Sequence, residues 1–408
     1  MVINETTAAF IAAHRHDDVR KLALRYSGAT DVDLPFALDQ IAGWQTACKK
    51  LPTWAAVDGI IYPPHLNMEQ CSSEETAKYK ASLCPTAPLL VDITGGFGVD
   101  FSFMAHRFER AVYVERSEML CAIARNNFQR LGLDNVEVVC GDGVDYLRSM
   151  QSQSASLNMA TLPLIYIDPA RRDTNGRKVF GISDCSPDVL AIKDELLAKA
   201  GSVMIKLSPM LDWHAAVKAF GGCCREVHIV SVGNECKELL LMLESNDTHP
   251  SRQPVIICVN DGQRFQALPS SDAFVRLADG LEKKFLYVPN ASVMKAGVYA
   301  QLTAAYPVAM VDKSSHLFLS DEDISAFPGR KFVILATTTM NKRELREKLV
   351  GISHANVSTR NFPLSAVELK KRLRLKDGGN IHLFATTFRG KHVIIIATTE
   401  AGSVDSDI

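Results

Sequence analysis

The chain has 408 residues, 47% of them apolar and 22% charged, with a formal net charge of −1. That length predicts roughly two to four domains, and the near-zero charge excludes a global basic field, so any nucleic acid has to meet a local patch. Ten cysteines are scattered without a CxxC spacing or a Cys/His cluster. This is the pattern of reduced thiols, not of a disulfide framework or a metal site. No apolar run approaches the ~18 residues of a membrane span, and the opening MVINETTAAF lacks the basic-then-apolar order of a signal peptide. A cytoplasmic protein with no metal and no membrane attachment is expected.

Residues 1–85 read mostly as helices, with apolar positions at mixed three and four spacing over 8–14, 19–26 and 35–50. Ser72 or Ser73 caps a further helix running to Leu83, with Glu74 and Glu75 in its first turn. The stretch LLVDITGGFGVD follows. A buried strand over 89–93 ends on an acid, Asp92, breaks into Gly95, Gly96 and Gly98, and gives way to a helix over 99–107. Strand, glycine loop and helix in that order make a nucleotide site, because glycines admit the ligand close to the backbone and free N–H groups face it. A dinucleotide fingerprint requires a third glycine where this chain has Phe101, which disfavours a nicotinamide enzyme.

A second strand over 110–115 ends in Glu115, about 20 residues beyond Asp92, where nucleotide-binding α/β folds place a carboxylate for ribose hydroxyls. A helix presenting Leu120, Ile123, Ala124, Phe128 and Leu131 closes on Gly132, and a third strand over 136–140 runs into Gly141-Asp142-Gly143. The fourth strand, 164–167, leads to Asp168-Pro169-Ala170-Arg171-Arg172-Asp173. Arg171 and Arg172 either grip a phosphate or carboxylate or pair with the neighbouring acids. A helix is expected over 187–199 and a fifth strand over 203–207. Lys206 lies inside that apolar strand, so it needs a partner or a lowered pKa, and Asp168 is the obvious partner. A helix over 212–220, strands over 226–232 and 238–244 and a polar stretch over 245–254 come next, then a strand over 255–260 and strand and helix signals over 285–289, 291–304 and 315–320. Near the end, a strand over 331–337, a helix over 342–350, a capping box Ser365-x-x-Glu368 opening a basic helix that stops at Gly378-Gly379, and a hairpin over 381–398 are read. Between Arg330 and Lys391, Lys and Arg outnumber Asp and Glu roughly three to one.

On the motifs DITGGFGVD, YVE, CGDG, IDPARRD and IKLSPM, residues 69–245 resemble a class I S-adenosylmethionine (SAM) dependent methyltransferase. With RNFPLSAVELKKRLRLKDGG, the whole chain resembles a bacterial methyltransferase family that carries a small ferredoxin-like domain and a C-terminal THUMP-like domain. The resemblance implies an α/β fold with a seven-stranded Rossmann-like sheet, a helical N-terminal region and small α+β C-terminal domains. The expected boundaries are 1–85, 86–276, 277–328 and 329–402. It implies SAM as cofactor, held by Asp92, Thr94, Gly95, Gly96, Gly98, Glu115, Arg116, Asp142, Gly143 and Asp168, with Glu115 on the ribose and Asp142 on the adenine. Catalytic roles fall to Asp168, Pro169, Arg171 and Lys206. Ala170 and Arg171 replace the second proline and the aromatic of amino-methylating relatives, which weighs against exocyclic-nitrogen transfer. A ribose-type set of Lys80 (or Lys78), Asp168, Lys206 and Glu235, with Lys206 as a lysine of depressed pKa, is a sharper option. RNA, met by the basic C-terminal domain, is the expected partner, and no oligomeric state is assigned. The alternatives are a methyltransferase on a small molecule or protein, and an inactive SAM- or RNA-binding module.

Overall fold

The computed structural model describes residues 4–28, 30–150, 162–171, 182–244, 253–268 and 273–399; of Arg171 it describes the backbone only. The expected linker over 245–254 falls largely outside these residues, as do Arg172 and Asp173. The chain divides into two compact units, Met1–Val227 with Glu238–Pro254, and His228–Lys237 with Val255–Ile408.

The first unit opens with helices α1 (Glu5–His14), α2 (Val19–Arg25), α3 (Leu34–Lys50), α4 (Pro52–Ala55), α5 (His65–Gln70) and α6 (Glu74–Ser82). Asn4, Asp18, Asp33 and Ser73 cap α1, α2, α3 and α6 by accepting backbone N–H groups of the first turn. Their apolar faces bury Leu51, Trp54, Tyr62 and Ala77 together with Phe97 and Val99 of the glycine loop and its helix. The helical region therefore braces the loop from behind.

The sheet is built from β1 (Leu89–Asp92), β2 (Arg110–Glu115), β3 (Val136–Cys140), β4 (Leu164–Ile167), β7 (Ser202–Leu207), β8 (Cys224–Val232) and β9 (Glu235–Leu243), with β5 (Ala170–Arg171) and β6 (Cys185–Ser186) pairing as a separate ribbon. These seven run in the order β3-β2-β1-β4-β7-β9-β8 within a nine-stranded sheet that β10 (Val255–Asn260) and β11 (Gln263–Ala267) continue beyond β8. The pairs β1/β2, β2/β3, β1/β4 and β4/β7 are parallel, and β7/β9 is antiparallel. The seven strands from β3 to β8 are the expected arrangement, and the two beyond them are an addition to it. The chain reverses direction of winding between β1 and β4, and in open α/β sheets a ligand lies beyond the carboxyl ends of the strands at that point. Helices α7 (Val99–Ala105), α8 (Glu118–Arg130), α9 (Gly143–Ser149), α10 (Lys193–Lys199) and α11 (Trp213–Ala219) complete the unit. Lys199 is buried because it ends α9: its Nζ donates to the carbonyls of Leu147 (2.7 Å), Arg148 (2.9 Å) and Met150 (2.6 Å).

In the second unit, β10 (Val255–Asn260) and β11 (Gln263–Ala267) form a hairpin. Its two-residue turn places Asp261 and Gly262 at φ 46° and 84°, the left-handed pair that twists with the strands. A seven-stranded sheet follows, in the order β13-β14-β12-β15-β18-β17-β16. Its strands are β12 (Phe285–Pro289), β13 (Ala309–Met310), β14 (Phe318–Ser320), β15 (Gly329–Thr339), β16 (Asn356–Thr359), β17 (Ile381–Phe388) and β18 (Lys391–Thr398). Helices α12 (Ala291–Ala296), α13 (Tyr299–Ala305), α14 (Lys342–Lys348) and α15 (Ala366–Leu373) accompany it.

Three expected helices are corrected. The helix expected over 187–199 begins only at Lys193, because the Asp188 carboxylate takes the N–H groups of Leu190 (3.1 Å) and Ala191 (3.2 Å) and holds a turn. The single helix expected over 291–304 is split by Gly297 at φ 70°. The basic helix stops at Leu373, not at Gly378, because Arg374 takes the left-handed conformation that closes its last turn. Its Ser365/Glu368 capping box is present.

Candidate active site

The rim is formed where β1 stops. Asp92 is 2% exposed; its Oδ1 accepts from Thr94 N (2.8 Å) and Thr94 Oγ1 (3.2 Å). The Thr94 hydroxyl oxygen in turn accepts from Asp168 N (2.7 Å). One threonine thus links the ends of β1 and β4. Burial, and then the nearby Asp168 and Asp100 carboxylates, push the Asp92 carboxyl up to about 8 against the Thr94 hydrogen bonds. Glu115 at the end of β2 accepts Gly96 N on Oε2 (2.9 Å) and Ser117 N on Oε1 (2.8 Å), and the Tyr113 hydroxyl donates to the Gly96 carbonyl. The loop is pinned on both sides before any ligand arrives. Arg116 is exposed beside Glu115. Asp142 is exposed and caps α9 through Oδ1, accepting from Val144 N (2.8 Å) and Asp145 N (3.2 Å).

The glycines differ in what they permit. A Cβ on Gly95 would lie 2.4 Å from the Tyr113 ring, and one on Gly143 only 1.9 Å from the Ile93 carbonyl oxygen. Gly96, at φ 62°, meets nothing closer than 3.7 Å, which leaves its face of the loop open to a ligand. Gly143→Ala is expected to cost about 2–3 kcal/mol through overpacking and to abolish nucleotide binding. Gly141→Ala, with nothing within 4 Å, is expected to change neither; thermal melts and calorimetry on the pair check this.

Behind the rim lies a charge network that the sequence reading only half anticipated. Lys206 Nζ donates to Asp168 Oδ2 (2.6 Å), and Asp100 Oδ2 is 3.8 Å away on its other side. Asp100, in the first turn of α7, accepts from Ser72 Oγ (2.7 Å) and Tyr166 OH (2.8 Å) and pairs through Oδ1 with Lys80 Nζ at 3.2 Å. Lys80 is fully buried and donates to both oxygens of Glu238, at 2.6 and 2.7 Å. Burial alone would lift Asp100, but Lys80 and Lys206, with the Ser72 and Tyr166 hydrogen bonds, hold it below the usual carboxylate range. Burial opposes the Lys206 charge as well, yet Asp168, Asp100 and Glu238 outweigh it and push the ammonium upward.

The expected Lys206–Asp168 pair is therefore present, while the depressed pKa expected of a lysine base is overturned. Glu235 is also corrected. It is exposed and pairs with Lys237 (2.6 Å); Glu238, three residues further along β9, points to the opposite face and completes the network. Of the two lysines considered, Lys80 joins it, while Lys78 pairs with Glu74 (2.7 Å) at the surface. Pro169 is buried next to Asp168, and Ala170 and Arg171 enter the β5/β6 ribbon, with backbone partners Ser186 and Cys185. Asp100, Tyr166, Ser72 and Glu238 had no assigned role. The available signal was Glu238 heading the apolar run LLLML, since a carboxylate on a buried strand requires a cation. Among the described residues no cluster of three or more metal-ligating side chains occurs, and no helix is long and apolar enough to cross a membrane.

Acids from three adjacent parallel strands beside an open glycine loop suit an adenosyl ligand, and Asp168 at the switch point suits an acceptor. Sheet order and rim together define a class I SAM-dependent methyltransferase domain. Its cofactor half, residues 80–150, matches the family model described as protein-L-isoaspartate (D-aspartate) O-methyltransferase. Residues 285–328 match a ferredoxin-like domain and residues 329–399 a THUMP domain-like family. The chain thus carries a methyltransferase domain followed by ferredoxin-like and THUMP-like domains. A crystal structure from Porphyromonas gingivalis W83, described provisionally as a methyltransferase, superimposes with a TM-score of 0.84 at 28% identity, covering 98% of this chain and 100% of that one. Ribosomal RNA small subunit methyltransferase J of Acinetobacter baumannii, strain SDF, is 26% identical over 159 residues, 36% of this chain and 53% of that protein. The protein of the same description from strain ACICU matches over the same extent. The chain spans about half the length of these curated relatives.

Proposed function

We propose that this protein transfers the methyl group of SAM to RNA, with the Asp168-Pro169 loop positioning the nucleophile. The observation that carries the reading is the Asp168 carboxylate, tethered to the cofactor loop through Thr94 and paired with a lysine at the sheet's switch point. Asp92, Thr94 and the glycine loop would hold the methionine end, Glu115 and Arg116 the ribose side, and Asp142, whose Oδ1 serves the helix cap, the adenine. Bound SAM supplies a methyl group already activated for displacement. What this chain adds is position and charge. Lys206 keeps Asp168 aimed through its 2.6 Å hydrogen bond, so Asp168 accepts a hydrogen bond from the acceptor and takes its proton as transfer proceeds. Arg171 at the same loop is proposed to contact the acceptor. The proposed domain boundaries remain 1–85, 86–276, 277–328 and 329–402. Ten free cysteines are in keeping with a cytoplasmic setting.

RNA is favoured by two observations. The rRNA methyltransferase similarity spans part of the chain, and the THUMP-like segment exposes Lys371, Arg372, Arg374 and Lys376 with no carboxylate of the described residues within ion-pair distance. Neutralising these four is expected to weaken RNA binding by tenfold or more at 0.1 M salt, and to flatten the salt dependence of the binding constant by about three counterions. The thermal midpoint should stay unchanged. The decisive test is mass spectrometry of nucleosides from RNA of a deletion strain and its parent. One methylated nucleoside is expected to vanish, and an unchanged profile would redirect the search to a protein or small-molecule acceptor.

A further inference from the structure

Around Asp92 and in the network behind the rim, the described residues set four carboxyl groups, Asp92, Asp100, Asp168 and Glu238, against two ammonium groups, Lys80 and Lys206. Three carboxylates are taken up by the two lysines: Asp168 by Lys206, Glu238 by Lys80, and Asp100 between both. Among the described residues Asp92 is left without a cation. It is buried at the end of β1, and among the described residues its hydrogen bonds come from Thr94 alone. The groups facing it are the phenols of Tyr113 on β2 and Tyr166 on β4, the Asp100 carboxylate on α7 and the Asp168 carboxylate after β4, with Lys206 and Lys80 reaching those two acids from β7 and α6. Burial pushes both phenols up, so they stay neutral. A carboxyl in this position favours its protonated form until a positive charge arrives.

We propose that the cofactor-free protein carries one proton on Asp92 and releases it when a sulfonium enters the rim, whereas a thioether leaves it in place. The inference rests on the SAM reading above. SAM and its product S-adenosylhomocysteine share adenosine and an α-ammonium balanced by the ligand's own α-carboxylate, so that only the sulfonium brings net positive charge to the rim. The Asp92 O–H bond breaks, its electron pair stays on the carboxylate, and the proton passes to buffer. Asp92 then becomes the uncompensated anion that the sulfonium neutralises. After methyl transfer the positive charge is gone, Asp92 takes a proton back, and the product loses that attraction. The site thereby distinguishes spent from fresh cofactor by charge at a buried residue, with no contact unique to either molecule.

The test is calorimetric titration of the full chain with SAM and with S-adenosylhomocysteine at pH 7, each in phosphate and in Tris, whose ionisation enthalpies differ. SAM is expected to release close to one proton, about 0.5–1, and S-adenosylhomocysteine close to none. From pH 6 to 8 the preference for SAM over its product should rise about fivefold or more. Asp92→Asn, a neutral isostere, should remove both the release and the pH dependence of that preference. SAM binding with the same enthalpy in both buffers overturns the proposal while sparing the methyltransferase reading. Absence of SAM binding overturns both. If the Asp92→Asn chain does not fold, the wild-type titrations decide alone.

Discussion

Lys80→Ala is expected to lower the unfolding free energy by about 3–5 kcal/mol, the range for stripping one partner from a buried ion pair. Its ammonium has no exposed surface and serves Glu238 through both oxygens and Asp100 through one. Removing it strands the buried Glu238 and leaves Asp100 only the more distant Lys206, at 3.8 Å, with its two hydroxyl donors. The loss should appear as a lower urea midpoint with an unchanged slope. The pair exchange Lys80→Met with Glu238→Leu should recover more than half of it, because an apolar pair of similar volume leaves no stranded charge at that end. A single variant that loses less than 1 kcal/mol would mean that the network relaxes or hydrates freely.

Asp168→Ala is expected to reduce methyl transfer by 10²-fold or more, the scale for losing a positioned acid–base group, while SAM affinity changes only a few-fold. The separation follows from placement. The Asp168 backbone N–H, which donates to Thr94, survives the substitution, so the loop stays tethered. The carboxylate, with its side chain 42% exposed at the rim, does not. Single-turnover transfer from labelled SAM to RNA of the deletion strain measures the first quantity, and calorimetry the second. Undiminished transfer would move the acceptor's partner away from this loop. Lys206 is not a substitute base, since the two carboxylates around it keep it charged.

The parallel sheet was readable because its strands are short apolar runs ending in acid or glycine, and three of them, β2, β3 and β4, match the expected bounds. The glycines of the loop after β1 and of the turn after β3 were readable for a steric reason, visible at Gly95 and Gly143 respectively. What the sequence hid was pairing at long range. Lys80 and Glu238 stand 158 residues apart, and no local pattern says which carboxylate meets which lysine. Glu235 had a comparable claim until strand alternation separated it from Glu238. Helix ends failed where a side chain or a left-handed residue intervened, at Asp188, Gly297 and Arg374, because propensity alone does not register such local competition.

The β9 strand carries a consequence for synthesis on the ribosome. Lys80 emerges early, yet the acid that neutralises it is translated 158 residues later, after the chain has already supplied β8 and the hairpin tip counted with the other unit. Until residues near 243 clear the exit tunnel, β7 lacks its antiparallel neighbour and a lysine destined for a dry interior has only Asp100 to face. The nascent methyltransferase domain is thus held open to solvent at this corner, and its last insertion locks the acceptor side of the rim. A ribosome stalled before Glu238 should display a protease-sensitive domain, and one stalled well beyond it a resistant one.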